Sequence, residues 1–95
     1  MGQFIVIGRD GAGGLERRKG ARPAHLEHWG KLDADGRVVY AGPLLNNEKP
    51  IGSVVIFIAD SVEEAQGVVQ GDPYVVQGVF ATTELFPIKQ VLPGT

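Results

Sequence analysis

A chain of 95 residues holds one domain, and at that size it buries only roughly 60 to 68 per cent of the surface that its unfolded form exposes, so its core is thin. It has no cysteine, hence neither disulfides nor thiolate metal ligands, a composition suited to the reducing cytoplasm where we expect it. A formal charge of −2, with acidic and basic residues interspersed, leaves no electrostatic footprint for nucleic acid or an anionic membrane, and no apolar run approaches the roughly 20 residues that span a bilayer.

The opening residues carry no basic leader ahead of an apolar core, so a soluble, unprocessed chain is expected. Residues 4–7, Phe-Ile-Val-Ile, form a β-branched and aromatic run that stops at Gly8, Asp10 and the glycine-rich residues 11–14, which predicts a first strand leaving into a loop. From Pro23 onward, Leu26, Trp29 and Leu32 share one side of a 3.6-residue period and predict the first helix, with Asp33, Asp35 and Gly36 marking its exit. Pro23 suits a first turn, where a missing N–H costs nothing. Residues 15–18 add at most a separate helical turn, because Gly20 and Pro23 argue against one unbroken helix.

Residues 38–41 and 53–59 predict two strands, separated by residues 42–52, whose Pro43, Asn46, Asn47 and Pro50 read as a wide hairpin loop. Ser61 with Glu64 three residues on matches a capping box and starts a second helix that runs to Val69 or Gln70. Asp72 caps a further short turn with Pro73 at its first position, and Gly78 ends it before a fourth strand at residues 79–86, limited by Pro87. The order β-α-β-β-α-β is the ferredoxin-like arrangement: an α+β fold with an antiparallel four-stranded sheet and both helices on one face. The strands are apolar on both faces, since Phe4 and Val6 alternate with Ile5 and Ile7, and Val54, Ile56 and Ile58 with Val55, Phe57 and Ala59. Two helices cover only one face, so a homodimer packed through the open sheet face is expected.

His25 and His28 are the only histidines, and three positions apart on a helix they are surface neighbours. His28 is read as solvent-facing. His25, four residues before Trp29, falls at the edge of the core-facing stripe, where ordinary packing competes with function. A closed zinc site takes about four ligands and a catalytic one three, so two histidines assign no metal. Asp72 before Pro73 is a helix cap by residue type, yet capping leaves an oxygen free to accept an imidazole N–H. Together His25 and Asp72 make a minimal general base, because histidine titrates near neutrality and a carboxylate orients it. Arg22 is a candidate partner for an anionic oxygen, and Ser53 and Tyr74 are candidate hydroxyl donors, although a solvated charge and boundary packing account for such residues too. Residues 11–14 complete neither G-x-x-x-x-G-K-[ST] nor G-x-G-x-x-G, Ser53 lacks a G-x-S-x-G setting, and no cofactor is expected.

Several short pieces then line up in order along the whole chain. They are Phe4-Ile5-Val6-Ile7, Leu15-Glu16-Arg17-Arg18, Arg22-Pro23-Ala24-His25-Leu26, Gly36-Arg37-Val38, Ala41-Gly42-Pro43-Leu44, Gly52-Ser53, Glu64-Ala65-Gln66, Asp72-Pro73-Tyr74, Gly78-Val79-Phe80 and Pro87-Ile88-Lys89-Gln90-Val91-Leu92. With R-P-x-H-L, A-G-P and D-P-Y in this order, the chain resembles the YciI-like (YCII-related) family. The resemblance implies a dimeric α+β barrel built on the ferredoxin-like fold, and a pocket in which His25 and Asp72 meet as an active site. One related enzyme removes chloride from a chlorinated hydroxyquinol, and muconolactone isomerases share the dimeric fold, although fold alone does not transfer function. The short hairpin loop Asn46-Asn47-Glu48-Lys49 departs from some relatives.

The leading expectation is a small lyase or isomerase in which His25 moves a proton and Asp72 fixes its tautomer, acting on a small oxygenated ring or anionic metabolite. The alternative is a non-catalytic small-ligand-binding or accessory dimeric module. A third reading is a structural dimer in which the His25 to Asp72 contact only ties the first helix to the end of the second.

Overall fold

In the computed structural model, which describes residues 1–94, alternation along the strands decides which face of the sheet is sealed. On β1 (Gly2–Asp10), Phe4, Val6 and Gly8 are buried while Ile5 and Ile7 are only partly so; on β3 (Lys49–Ala59), Ser53, Val55, Phe57 and Ala59 are buried between partly exposed Val54, Ile56 and Ile58. β1 pairs antiparallel with β3 and with β4 (Phe80–Ile88), and β3 with β2 (Val38–Asn46), giving the order β2-β3-β1-β4. β1 and β2 run parallel with β3 inserted between them, the split-βαβ arrangement. The α+β class and the antiparallel four-stranded sheet are as expected.

The buried face packs on α1 (Gly14–Ala34) and α2 (Val62–Gln70), and Phe4, Val6, Trp29, Val55, Phe57, Ala65 and Val69 form the main core. Ala21, Tyr74 and Val79, with Phe80 against them, form a smaller cluster under the single-turn α3 (Pro73–Val76). Ser61 caps α2 by accepting from the Glu64 N–H at 3.1 Å. Glu64 reaches back to the N–H of Asp60 rather than that of Ser61, because its carboxylate is also held by Arg37, which bonds the Ile58 carbonyl and so ties α2 to the sheet. No helix among the described residues is long and apolar enough to cross a membrane.

The structure corrects four local expectations. α1 is one helix of 21 residues, about 32 Å long, running through Gly20 and Pro23. An internal proline costs a helix roughly 3 kcal/mol, and here tertiary bonds made by α1 on both sides of Pro23 offset it. The buried stripe is Arg18, Ala21, His25 and Trp29, so Leu26 lies off it and is half exposed. The wide loop is a tight hairpin: β2 and β3 extend to Asn46 and Lys49, joined by Asn47 and Glu48 at φ 51° and 66°, the left-handed pair that a type I′ turn requires. β4 continues through Pro87 to Ile88, which an edge strand tolerates because it has an unpaired side.

Glu48 holds a left-handed conformation in which a Cβ is unfavourable. Glu48→Gly is therefore expected to raise stability by about 1 kcal/mol. In a thermal melt that appears as a Tm increase of about 4–8 °C for a domain of this size, and a lowered Tm would contradict the turn assignment.

Candidate active site

Asp72 is positioned by the turn that it caps. Its Oδ1 accepts the backbone N–H of Tyr74 at 2.9 Å, with Pro73 supplying the preset first residue of α3. The same oxygen accepts His25 Nδ1–H at 2.7 Å, and Oδ2 accepts the indole N–H of Trp29 at 2.9 Å. His25 and Trp29 stand one helical turn apart, so one carboxylate grips two successive positions of the α1 face. Burial pushes the Asp72 carboxyl pKa up, but the three donors from His25, Trp29 and the Tyr74 amide outweigh burial and hold it below the ordinary value. An ionised carboxylate only accepts, which assigns a hydrogen to His25 Nδ1, so that in the neutral ring the lone pair is on Nε2.

The imidazole stacks flat on the Tyr74 ring, with centroids 3.7 Å apart and planes within 8°, and Phe80 meets Tyr74 edge-on at 5.5 Å. Phe80 in turn lies over Gly8, where a Cβ would come within 2.5 Å of its ring, so only glycine lets β1 pass beneath it. A cavity of about 440 Å³ opens beside this stack, between α1 and the β2–β3 side of the sheet. His25, Tyr74, Ser53 and Arg22 all border it, and Asp72 stands behind His25. Among the described residues His25 Nε2 makes no hydrogen bond, and none of their side-chain nitrogens or oxygens is both fully buried and unpartnered. Nε2 therefore opens on solvent, and it does so at the cavity that His25 lines.

The other expected residues differ in what occupies them. Arg22 is exposed at the cavity mouth. The Ser53 hydroxyl is buried and accepts from Arg18 Nη2 at 2.8 Å. Burial raises the Tyr74 phenol pKa against the opposing charges of Arg18 and Arg22, so Tyr74 is a neutral hydroxyl at physiological pH. His28 is not solvent-facing: its Nε2–H donates to the Val68 carbonyl at 2.8 Å, and its ring meets Trp29 edge-on. The two histidines are thus engaged by different partners.

Two residues of the site escape the sequence reading. Arg18 donates to Asp10 through Nε at 2.5 Å and Nη2 at 3.2 Å, with both side chains more than nine-tenths buried. The spacing of Arg18, Ala21, His25 and Trp29 marks this stripe in the sequence once α1 is continuous; the break assigned at Gly20 and Pro23 hid it.

Because the folded-state pKa of Asp72 lies below its unfolded value, its contribution to stability is complete above the ordinary value of 3.8 and is lost as pH falls through the depressed one. Asp72→Asn is expected to cost roughly 2 kcal/mol at neutral pH by denaturant titration. It should also flatten the loss of stability below pH 3.8, and an unchanged acid slope would refute the ionised assignment.

A sequence profile of the YCII-related domain matches residues 2–89. Protein YciI of Escherichia coli O6:H1 is 36% identical over 95 residues, spanning 93% of this chain and 97% of that protein. Among solved structures, the 5-chloro-2-hydroxyhydroquinone dehydrochlorinase TftG of Burkholderia phenoliruptrix, in complex with 2,5-dihydroxybenzoquinone, aligns with a TM-score of 0.85 at 26% identity, over 98% of this chain and 99% of that one. A protein of Agrobacterium tumefaciens shares the fold at a TM-score of 0.53 and 16% identity, over 99% of this chain and 97% of that one. With a profile match over nearly its whole length and a relative aligned from end to end, this chain belongs to the YCII-related domain family.

Proposed function

We propose that this protein is a small enzyme of the lyase or isomerase type that uses His25 as a general acid and base on a small oxygenated ring or anionic metabolite. The observation that carries the reading is His25 itself, its Nδ1 held by a buried carboxylate and its Nε2 open on a cavity. Nε2 takes a proton from a hydroxyl or an activated carbon of the substrate, and Asp72 stabilises the imidazolium that forms. The Tyr74 and Ser53 hydroxyls and the Arg22 guanidinium hold substrate oxygens. In an elimination, the electron pair released with the proton forms the new double bond and expels the leaving group with its own pair. In an isomerisation, His25 returns the proton to another atom of the substrate. Neither route changes the oxidation state of the protein. Similarity to a dehydrochlorinase along nearly the whole chain supports the class.

With 5-chloro-2-hydroxyhydroquinone as the probe, chloride release above the uncatalysed rate is expected. His25→Asn should lower kcat by about 10² to 10⁴, the usual contribution of positioned proton transfer. Turnover that survives in His25→Asn would remove this residue from the reaction.

We further propose that the active form is a cytoplasmic homodimer joined through the open sheet face. Ile5, Ile7, Val54, Ile56 and Ile58 form an apolar surface there, with Tyr40 and Phe86 half exposed on the neighbouring strands, a larger patch than a monomer usually leaves uncovered. Sedimentation at micromolar concentration should show a dimer that Ile56→Glu converts to monomer. A wild-type monomer would overturn the arrangement.

A further inference from the structure

The cavity beside His25 is larger than one ring requires. An apolar space of roughly 150 Å³ holds a benzene ring, whereas this cavity measures about 440 Å³. It is also long. Leu15 and His25 both border it from α1, and the ten residues of helix between those positions span about 15 Å along the axis. A ring engaged at His25 Nε2 therefore leaves the Leu15 end unfilled.

Beyond Leu15 the depression continues. A second cavity of about 360 Å³ lies between the first turn of α1 and the start of β3, and Leu15 and Pro50 border both cavities. Ile51 borders the outer one alone. Leu15 is 41% exposed and Ile51 47%. Single exposed apolar residues are ordinary, but these two share with Pro50 a concavity that runs on from the His25 cavity. The polar groups of the outer cavity are already engaged. Asp10 is held by Arg18, the Glu16 carboxylate accepts from Lys19 at 3.2 Å, and the N–H groups of Gly11 and Gly14 bond the carbonyls of Val79 and Gly11. Gly11, Gly13 and Gly14 bring no side chain into the space, and Gly14 has no room for one, since a Cβ there would fall 2.7 Å from that of Asp10. What the outer cavity offers a ligand is apolar surface.

We propose that the two cavities form one groove whose outer half takes an apolar substituent of the substrate. The substrates are then oxygenated rings that carry an alkyl chain of several carbons, with the ring at His25 and the chain over Leu15, Pro50 and Ile51. Continuity through Leu15 and Pro50 assigns the outer half to the ligand of the inner cavity rather than to a second protein chain. This rests on the reading of the cavity as the substrate site, but not on His25 being the base.

The test is calorimetric binding of a series of 4-alkylresorcinols, from ethyl to hexyl. A fully buried methylene strengthens binding roughly fourfold and a half-covered one about twofold, so the hexyl compound should bind at least about tenfold more tightly than the ethyl compound. Ile51→Ser, a change at a half-exposed position, should bring that ratio down to about threefold. A general loss of packing would weaken both ligands alike, so the ratio reads the groove and not the fold. In the unmutated protein, ¹³C spectra of the methyl groups should show Ile51 shifting with the hexyl compound and not with resorcinol itself. A flat series, a ratio unaltered by Ile51→Ser, or resorcinols that fail to bind would each overturn the proposal. So would a groove filled by a second copy of the chain, seen as a flat series beside loss of the dimer in Ile51→Ser. Loss of turnover in His25→Asn beside a flat series would sink this inference alone. Unaltered turnover in His25→Asn beside a chain-length gain that Ile51→Ser removes would sink the acid–base reading alone.

Discussion

The Asp72 carboxylate receives N–H donors from two stretches of chain that lie more than forty residues apart, and most of what matters in the site follows from that convergence. A buried charge is expensive unless its lone pairs are used, and here one oxygen serves both the cap of α3 and His25 while the other serves Trp29. The result locks the end of α2 and α3 against α1. It also settles the histidine, because a carboxylate held ionised turns the ring so that Nδ1–H faces inward and the basic nitrogen faces the cavity. The structural staple and the proposed general base are therefore the same object seen from two sides, and Nε2 is the part of it that packing alone does not use.

A second anchor repeats the logic two helical turns earlier. Asp10, at the bulge where β1 leaves its pairing with β4, holds Arg18 as Asp72 holds His25. In both cases an aspartate outside α1 fixes a nitrogenous side chain on it. The wall that a ligand meets is consequently rich in donors and cations, with the acids withdrawn behind it. Continuity of α1 makes this possible: seven residues separate Arg18 from His25, about 10.5 Å along the axis, and only one unbroken helix sets that spacing.

Much of the fold was legible because its signals are local. Alternation marked β1 and β3, the Ser61 and Glu64 pattern marked α2, and Asp72-Pro73 announced the capped turn; even the open sheet face follows from apolar residues on both sides of the strands. The failures share one cause. Gly20 and Pro23 are strong local breakers, and Asn46 to Pro50 strong local turn formers, so local reasoning stopped the helix early and widened the hairpin. In each case tertiary bonds overrule propensity: Arg18 and His25 hold α1 on both sides of Pro23, and the pairing of Leu45 with Pro50 and of Asn46 with Lys49 carries the strands to a two-residue turn. The same error concealed half of the candidate site. His25 and Asp72 are visible as chemistry-bearing residue types, whereas Arg18 is visible only as a member of a stripe that requires the whole helix.

The division of labour along α1 bears on the size of molecule that the site accommodates. Tyr74 lies against both the imidazole and the guanidinium and spaces them with an aromatic ring, while Phe80, seated over Gly8, keeps Tyr74 from sliding away from either. His25 and Tyr74 both border the cavity of about 440 Å³, so part of its wall is a rigid aromatic pair, which suits a flat molecule better than a flexible one.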